Sequence, residues 1–275
     1  MARILWVIAA LSLVSLTHSI TNDVVYIIDT SGSLSQTNLN YSIDFLYDVT
    51  EFLTIGSSDI KISIVTFSNV SIVQHDFNSL SDKAAVLTAL ESLKSITTAG
   101  GTKTYEALNE TNTLFTSASS GRRTGVNQTV VVLTDGKSDN LLNTRSAAET
   151  LHMQGIEVFS VGVGSEVVDD KTELYAIASD PDSYYQHDIE NFIHLCNVVP
   201  TLALKLASST PIIAVGAAAS LLLLSSIPGG YFMYKAALRR KIRQEEKEEE
   251  VQDAIQPYEN SAPKHLGPGK PAWQA

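Results

Sequence analysis

Val24-Val25-Tyr26-Ile27-Ile28-Asp29-Thr30-Ser31-Gly32-Ser33 runs five apolar residues straight into an acid and a Ser/Gly turn. A short unbroken apolar run is the pattern of a strand buried on both faces, as in a parallel sheet. The polar cluster then falls at the strand's carboxyl end, where open α/β sheets hold their ligands. Asp29, Ser31 and Ser33 alternate along a tight loop, so three oxygens can converge on one point. Oxygen-only donors favour a hard cation such as Mg²⁺ over zinc or copper. The same Asp-x-Ser-x-Ser spacing also serves as a plain turn or a helix cap, and these residues alone leave both readings open.

Two later stretches extend the pattern. Gly100-Gly101-Thr102-Lys103-Thr104 is a glycine-rich loop with hydroxyls, followed by a helical period. Thr129-Val130-Val131-Val132-Leu133-Thr134-Asp135-Gly136 is a second apolar strand that ends in an acid. In chain order this gives Asp-x-Ser-x-Ser, then Thr, then Asp. The arrangement resembles the metal-ion-dependent adhesion site of the von Willebrand factor type A (vWA) domain, over roughly Asp23 to Ala207. Phrases such as Val131-Val132-Leu133-Thr134-Asp135-Gly136-Lys137-Ser138 and Ala176-Ile177-Ala178-Ser179-Asp180-Pro181 are most similar to the matrilin and non-fibrillar collagen branch.

The resemblance implies a Rossmann-like fold and a Mg²⁺ or Mn²⁺ cofactor. Ser31 and Ser33 would bind the metal through their hydroxyls, and Thr102 would join them in the ligand-bound state. Asp29 and Asp135 would act largely through waters and hydrogen-bond the hydroxyl ligands. An acidic side chain from an extracellular protein, collagen or another matrix protein, would complete the shell. The five residues are expected on a rim, outside the apolar core.

The rest of the chain supports an α/β architecture. Leu39, Ile43, Leu46, Val49 and Leu53 give Ser35 to Ile55 a helical period. Ile60 to Phe67 alternates as a strand, and Val70 to Phe77 pairs with it as an edge hairpin across Ser68-Asn69. Helical periods follow at 82–93, 105–118 and 140–154, the last closed by Gly155. Ser119 to Asn127 is a polar, basic loop. Residues 156–163 read as a buried strand, 172–179 as a short helix and 183–187 as a last strand. A final helical pattern, 189–207, is interrupted at Pro200. Strands alternating with helices give a mostly parallel central sheet, flanked by helices, with one antiparallel edge strand.

Both ends read differently. Residues 1–19 carry Arg3, an apolar run and Thr17-His18-Ser19, the marks of a secretory signal. The domain spans 20–207, and 208–211 form a short stalk. Residues 212–234 hold no charge and are long enough to cross a bilayer core of roughly 30 Å as one transmembrane helix. Lys235, Arg239, Arg240, Lys241 and Arg243 follow at once, which places the domain outside the cell by the positive-inside rule. Residues 235–275 are acidic, then rich in Pro and Gly, as in a disordered cytoplasmic tail. Tyr258 and Trp273 are its candidate contacts for a tail partner. Asn40, Asn69, Asn109 and Asn127 head N-glycosylation sequons, all before the span. Cys196 is the only cysteine, so no disulfide forms within the chain. Pairing between chains and burial in a helix are both open to it, and its apolar neighbours Phe192, Ile193 and Leu195 favour burial.

A net charge of −11 argues against nucleic acid as a partner, which wants a basic face. An enzyme reading lacks its parts. Ser31 stands where aspartyl phosphatases carry a second acid, and no Gly-x-Ser-x-Gly elbow is present. An extracellular type A domain, one span and an acidic tail with Trp273 also resemble apicomplexan gliding and invasion adhesins. Cys-rich repeats are absent here, and the residues around Trp273 are not acidic. A shed matrix component is the other alternative.

Overall fold

The computed structural model describes residues 21–208. The expected signal segment, the span 212–234 and the tail lie outside the described residues. Among the described residues no helix is long and apolar enough to cross a membrane.

Among the described residues six strands form one sheet: β1 (Asn22–Asp29), β2 (Ile60–Phe67), β3 (Ser71–His75), β4 (Asn127–Thr134), β5 (Glu157–Val163) and β6 (Gln186–Ile189). Their order is β3-β2-β1-β4-β5-β6. Neighbours are parallel except β2 and β3, the expected antiparallel edge. Val24 to Ile28 are fully buried, which puts the opening apolar run at the centre of the sheet. Burying one such aliphatic side chain contributes about 1.5–3 kcal/mol.

Strand alternation divides the core. Val24, Tyr26 and Ile28 face a layer built from α1 (Gln36–Glu51), α2 (Lys83–Leu93) and α8 (Val199–Leu206). Val25 and Ile27 face α3 (Thr104–Thr116), α4 (Leu141–Met153) and α6 (Thr172–Ile177). Short helices α5 (Ser165–Asp169) and α7 (Asp182–Tyr185) sit beside β5 and β6. Chain direction splits at the centre: β1 leads outward to β2, and β4 leads the opposite way to β5. The loops after β1 and β4 therefore diverge and open a crevice at the strands' carboxyl ends.

Three helices begin where a side chain can accept an orphan amide of the first turn. Ser35 accepts from the Asn38 amide at 3.1 Å, Asp82 from Ala85 at 2.9 Å and Asn140 from Asn143 at 3.0 Å.

Elsewhere the boundaries move. Residues 183–187 are not a strand from end to end. Tyr184 and Tyr185 lie in the turn of α7, where both rings pack against Phe159, and β6 starts at Gln186. The pattern over 189–207 splits into a 3₁₀ turn, Phe192–Asn197, and α8. Pro200 opens α8 instead of interrupting a helix, because its missing N–H is an orphan there anyway. Helix α5 has no counterpart in the sequence reading. Cys196 lies in the 3₁₀ turn, half-buried, and its thiol donates to the Ile193 carbonyl at 3.6 Å. Strand β2 is buried on both faces despite its alternation. Its polar positions have partners: Ser63 donates to the His75 carbonyl at 2.7 Å, and Gln74 donates to Thr66 at 2.8 Å.

Candidate metal centre

Strand β1 delivers Asp29 to the crevice. One carboxylate oxygen accepts the Ser31 amide at 2.8 Å, and the other accepts the Thr134 hydroxyl at 2.6 Å. The turn that follows brings Ser31 Oγ to 2.9 Å from Ser33 Oγ. Ser33 in turn donates to Asp135 Oδ1 at 2.8 Å. Residues far apart in sequence thus form one hydrogen-bonded chain across the ends of β1 and β4.

The glycine-rich loop joins it through backbone. The Gly32 amide donates to the Gly100 carbonyl at 3.0 Å, and the Ala99 amide to the Thr30 carbonyl at 3.1 Å. A Cβ on residue 32 would lie 3.2 Å from the Gly100 oxygen, so the close approach favours glycine. Thr102 is held by Asp139. Its amide donates to Asp139 Oδ1 at 3.2 Å, and its carbonyl accepts the Asp139 amide at 2.9 Å. A point one Cβ away from Gly136 lies 3.7 Å from Ser33 Oγ, 3.9 Å from Thr102 Oγ1 and 4.0 Å from Glu166 Oε2. Thr102 and Ser33 therefore face the same small space beside Asp135.

Both acids carry poorly compensated negative charge. Burial pushes the Asp29 carboxyl up, against hydrogen bonds from Ser31 and Thr134 that pull it down. Burial also pushes Asp135 up to about 6, opposed by the Ser33 hydroxyl and reinforced by the charges of Asp29 and Glu166. Among the described residues no Lys or Arg forms an ion pair with either acid. Nor do three His, Cys, Asp or Glu side chains cluster there closely enough to hold a metal by themselves. The donor set is instead rich in hydroxyls, beside two carboxylates with no cationic partner. That chemistry fits a hard divalent cation that keeps several waters, as Mg²⁺ does.

One expectation is corrected. Asp29 is 2% exposed, Ser31 is fully buried and Thr102 is buried, so only Ser33 and the partly exposed Asp135 stand on the rim. The loop folds back over the sheet end, and Thr134 and the Ser31 amide satisfy Asp29 inside the protein.

Thr134 and Glu166 escaped the sequence reading. Thr134 follows Leu133, which is in register with Ile28, so its hydroxyl meets Asp29; the signal is a hydroxyl at the last position of β4. Glu166 left no local signal, because α5 itself was not foreseen. Glu166 also lines a cleft of about 370 Å³ that opens beside Ser33 and Asp135. The sequon asparagines scatter. Asn40 lies half-buried on α1, while Asn109 on α3 and Asn127 at the start of β4 are exposed. Asn69 is exposed at the β2–β3 turn, where its carbonyl oxygen accepts the Gly101 amide at 2.8 Å.

The family model for the von Willebrand factor type A domain matches residues 23–199. The human collagen alpha-1(XXI) chain is 30% identical over 188 residues, covering 68% of this chain and 19% of the collagen. Human integrin alpha-E is 30% identical over 191 residues, covering 68% of this chain and 16% of the integrin. The chain thus spans under a fifth of either relative. Among solved structures, proximal thread matrix protein 1 of the mussel byssus, with a zinc-occupied MIDAS motif, superposes with a TM-score of 0.59 at 22% identity. That match covers 68% of this chain and 46% of the mussel protein.

Proposed function

We propose, for a chain that belongs to the von Willebrand factor type A domain family, that its domain binds an extracellular protein ligand through a divalent cation. The observation that carries this reading is the hydrogen-bonded chain Asp29–Thr134 and Ser31–Ser33–Asp135, with Thr102 facing the same space. In it, Ser31, Ser33 and Thr102 present hydroxyl oxygens. Asp29 and Asp135 aim those hydroxyls and hold negative charge at the site. When bound, Mg²⁺ or Mn²⁺ would supply an electrophilic position for a carboxylate. Hydroxyl donors leave such a cation under-neutralised, so an acidic partner side chain is the ligand class that suits it. The collagen and integrin relatives support a matrix or cell-surface setting.

On this reading the domain stands outside the cell on a single-pass membrane protein. The uncharged stretch 212–234 and the basic cluster after it support that topology. Asn40, Asn69, Asn109 and Asn127 would be open to glycosylation there.

The test is binding to immobilised collagens and other matrix proteins in Mg²⁺, in Mn²⁺ and in chelator. Binding in either cation that chelator abolishes is expected. Binding that is indifferent to chelator contradicts the proposal.

A further inference from the structure

Glu173 sits on α6, beyond the metal-site residues, and is 6% exposed. Its carboxylate reaches across to the loop between β4 and α4, where both oxygens accept the Ser138 amide, at 3.0 and 2.9 Å. Ser138 is three positions after Asp135, and the residue after it, Asp139, holds Thr102. Ser138 Oγ in turn accepts the Thr144 hydroxyl at 2.8 Å, which fixes the same loop to α4. A surface pair, Lys137 to Asp170 at 2.8 Å, ties the loop a second time, but both of its members are half exposed. Glu173 is therefore a second buried acid, after Asp29, that anchors this loop.

A buried carboxylate is costly to keep unless hydrogen bonds compensate it. Here the cost falls on one backbone amide, in the loop that carries Asp135 and steadies Thr102. Burial raises the Glu173 carboxyl to about 7, with the Ser138 bond and the Lys137 charge pulling it back. Leu174 beside it reaches toward Gly162 of β5, where a Cβ would lie 2.4 Å from Leu174 Cδ1. The Leu174 carbonyl also accepts the Ser160 hydroxyl at 2.9 Å. The glycine lets α6 lie close on the sheet, so Glu173 acts from a fixed base.

We infer that Glu173 is a positioning residue for the cation site: its hydrogen bond to the Ser138 amide sets where Asp135 and Thr102 stand relative to Ser31 and Ser33. The inference rests on the proposed cation site and adds a residue outside it. Glu173 is hydrogen-bonded to the Ser138 amide and not to any of the five motif side chains. It acts through the loop, by hydrogen bonding, and the amide of glutamine can keep one acceptor in the same place.

The experiment is Mg²⁺ titration by calorimetry on the full chain in detergent, for wild type, Glu173→Ala, Glu173→Gln and Asp135→Ala, with the thermal midpoint of each measured in chelator. Glu173→Ala should weaken Mg²⁺ binding about tenfold or more, the scale of lost outer-sphere support. Glu173→Gln should recover most of that loss. Hydrogen exchange on wild type supplies a readout that no variant can spoil by misfolding: Mg²⁺ should slow exchange at the Ser138 amide. Glu173→Ala that lowers the thermal midpoint yet binds Mg²⁺ as wild type does makes Glu173 merely structural and overturns the inference. Glutamine as weak as alanine overturns it too, since charge and not the hydrogen bond would then matter. Ser138 exchange that ignores Mg²⁺ is a third contradiction. Wild type that binds no better than Asp135→Ala removes the cation site itself, an outcome distinct from the other three.

Discussion

At the residue scale, Asp29 has two duties. It is part of the site's negative charge, and it is a buried acceptor for the Ser31 amide and the Thr134 hydroxyl. Asp29→Ala should therefore cost stability as well as metal affinity, because the buried Ser31 amide loses its acceptor and the Thr134 hydroxyl keeps only the Gly136 carbonyl. The expected loss is about 1–3 kcal/mol for each donor left unsatisfied, read from urea unfolding in chelator. Stability equal to wild type would mean that water replaces the carboxylate and that the buried network is not what holds the turn. Asp29, Ser31 and Ser33 were legible as a candidate oxygen cluster, since Asp-x-Ser-x-Ser at a strand end is a local pattern; Thr102 and Asp135 joined them through the family resemblance. The burial of Asp29 and Ser31 was not legible. It depends on Thr134 and on the loop at Gly100, which lie far along the chain.

A second residue-scale prediction concerns His187 on β6. Its ring lies 3.1 Å from the Lys205 ammonium of α8, whose charge also reaches the carbonyl of Tyr184 and the Tyr184 ring, 4.2 Å away. Burial, then the Lys205 charge, push the imidazole from 6.5 down to about 4, while Asp188 pulls it back up. The unfolded chain thus binds the proton first. Between pH 6.5 and 4 it holds more protons than the folded state, so stability from this group is full above that window and falls through it in acid. Glu173 and Asp135 are raised and act in the opposite sense, so the comparison must be with a variant. Wild type should lose more unfolding free energy than His187→Gln on going from pH 7 to pH 4. Parallel pH profiles would contradict the shift.

At the element scale, the helix starts at Ser35, Asp82 and Asn140 were readable because a cap uses groups three residues apart. The central strands were readable because burial on both faces demands an apolar run. The segment 119–127 was readable only as polar and basic. In the structure it pins the far end of the sheet. Arg123 donates from its backbone amide and from Nε to Asp23, which is fully buried, at 2.6 and 2.8 Å. The same guanidinium donates to the carbonyls of Ser57, Asn22 and Asp59. No local pattern marks such an arrangement, since its partners are up to 101 positions away. Arg123→Ala leaves Asp23 buried without its cation and should destabilise the domain by about 3–5 kcal/mol. Chemical denaturation would measure it; a loss under about 1 kcal/mol would place this pair with ordinary surface bridges. Mg²⁺ affinity should be unchanged, because Arg123 lies at the opposite end of the strands from the metal site.

At the scale of the whole molecule, the topology explains why the site lies where it does. In the described sheet the loops diverge between β1 and β4; Asp29 ends β1 and Asp135 directly follows β4. The proposed membrane topology gives a prediction for the full chain. Protease added to intact cells should remove the motif-bearing domain and spare an epitope in 235–275; a digested tail with a protected domain would reverse the proposed orientation.

The cation is the claim on which the rest depends. Its most direct test is calorimetric Mg²⁺ titration of the full chain against Asp135→Ala, each checked for folding in chelator. Asp135 is only partly buried and its one described side-chain partner is Ser33, so the variant should keep its fold. The account predicts saturable binding by wild type and a loss of about tenfold or more in Asp135→Ala at an unchanged thermal midpoint. Equal Mg²⁺ binding by the two folded proteins, or none by either, would contradict it.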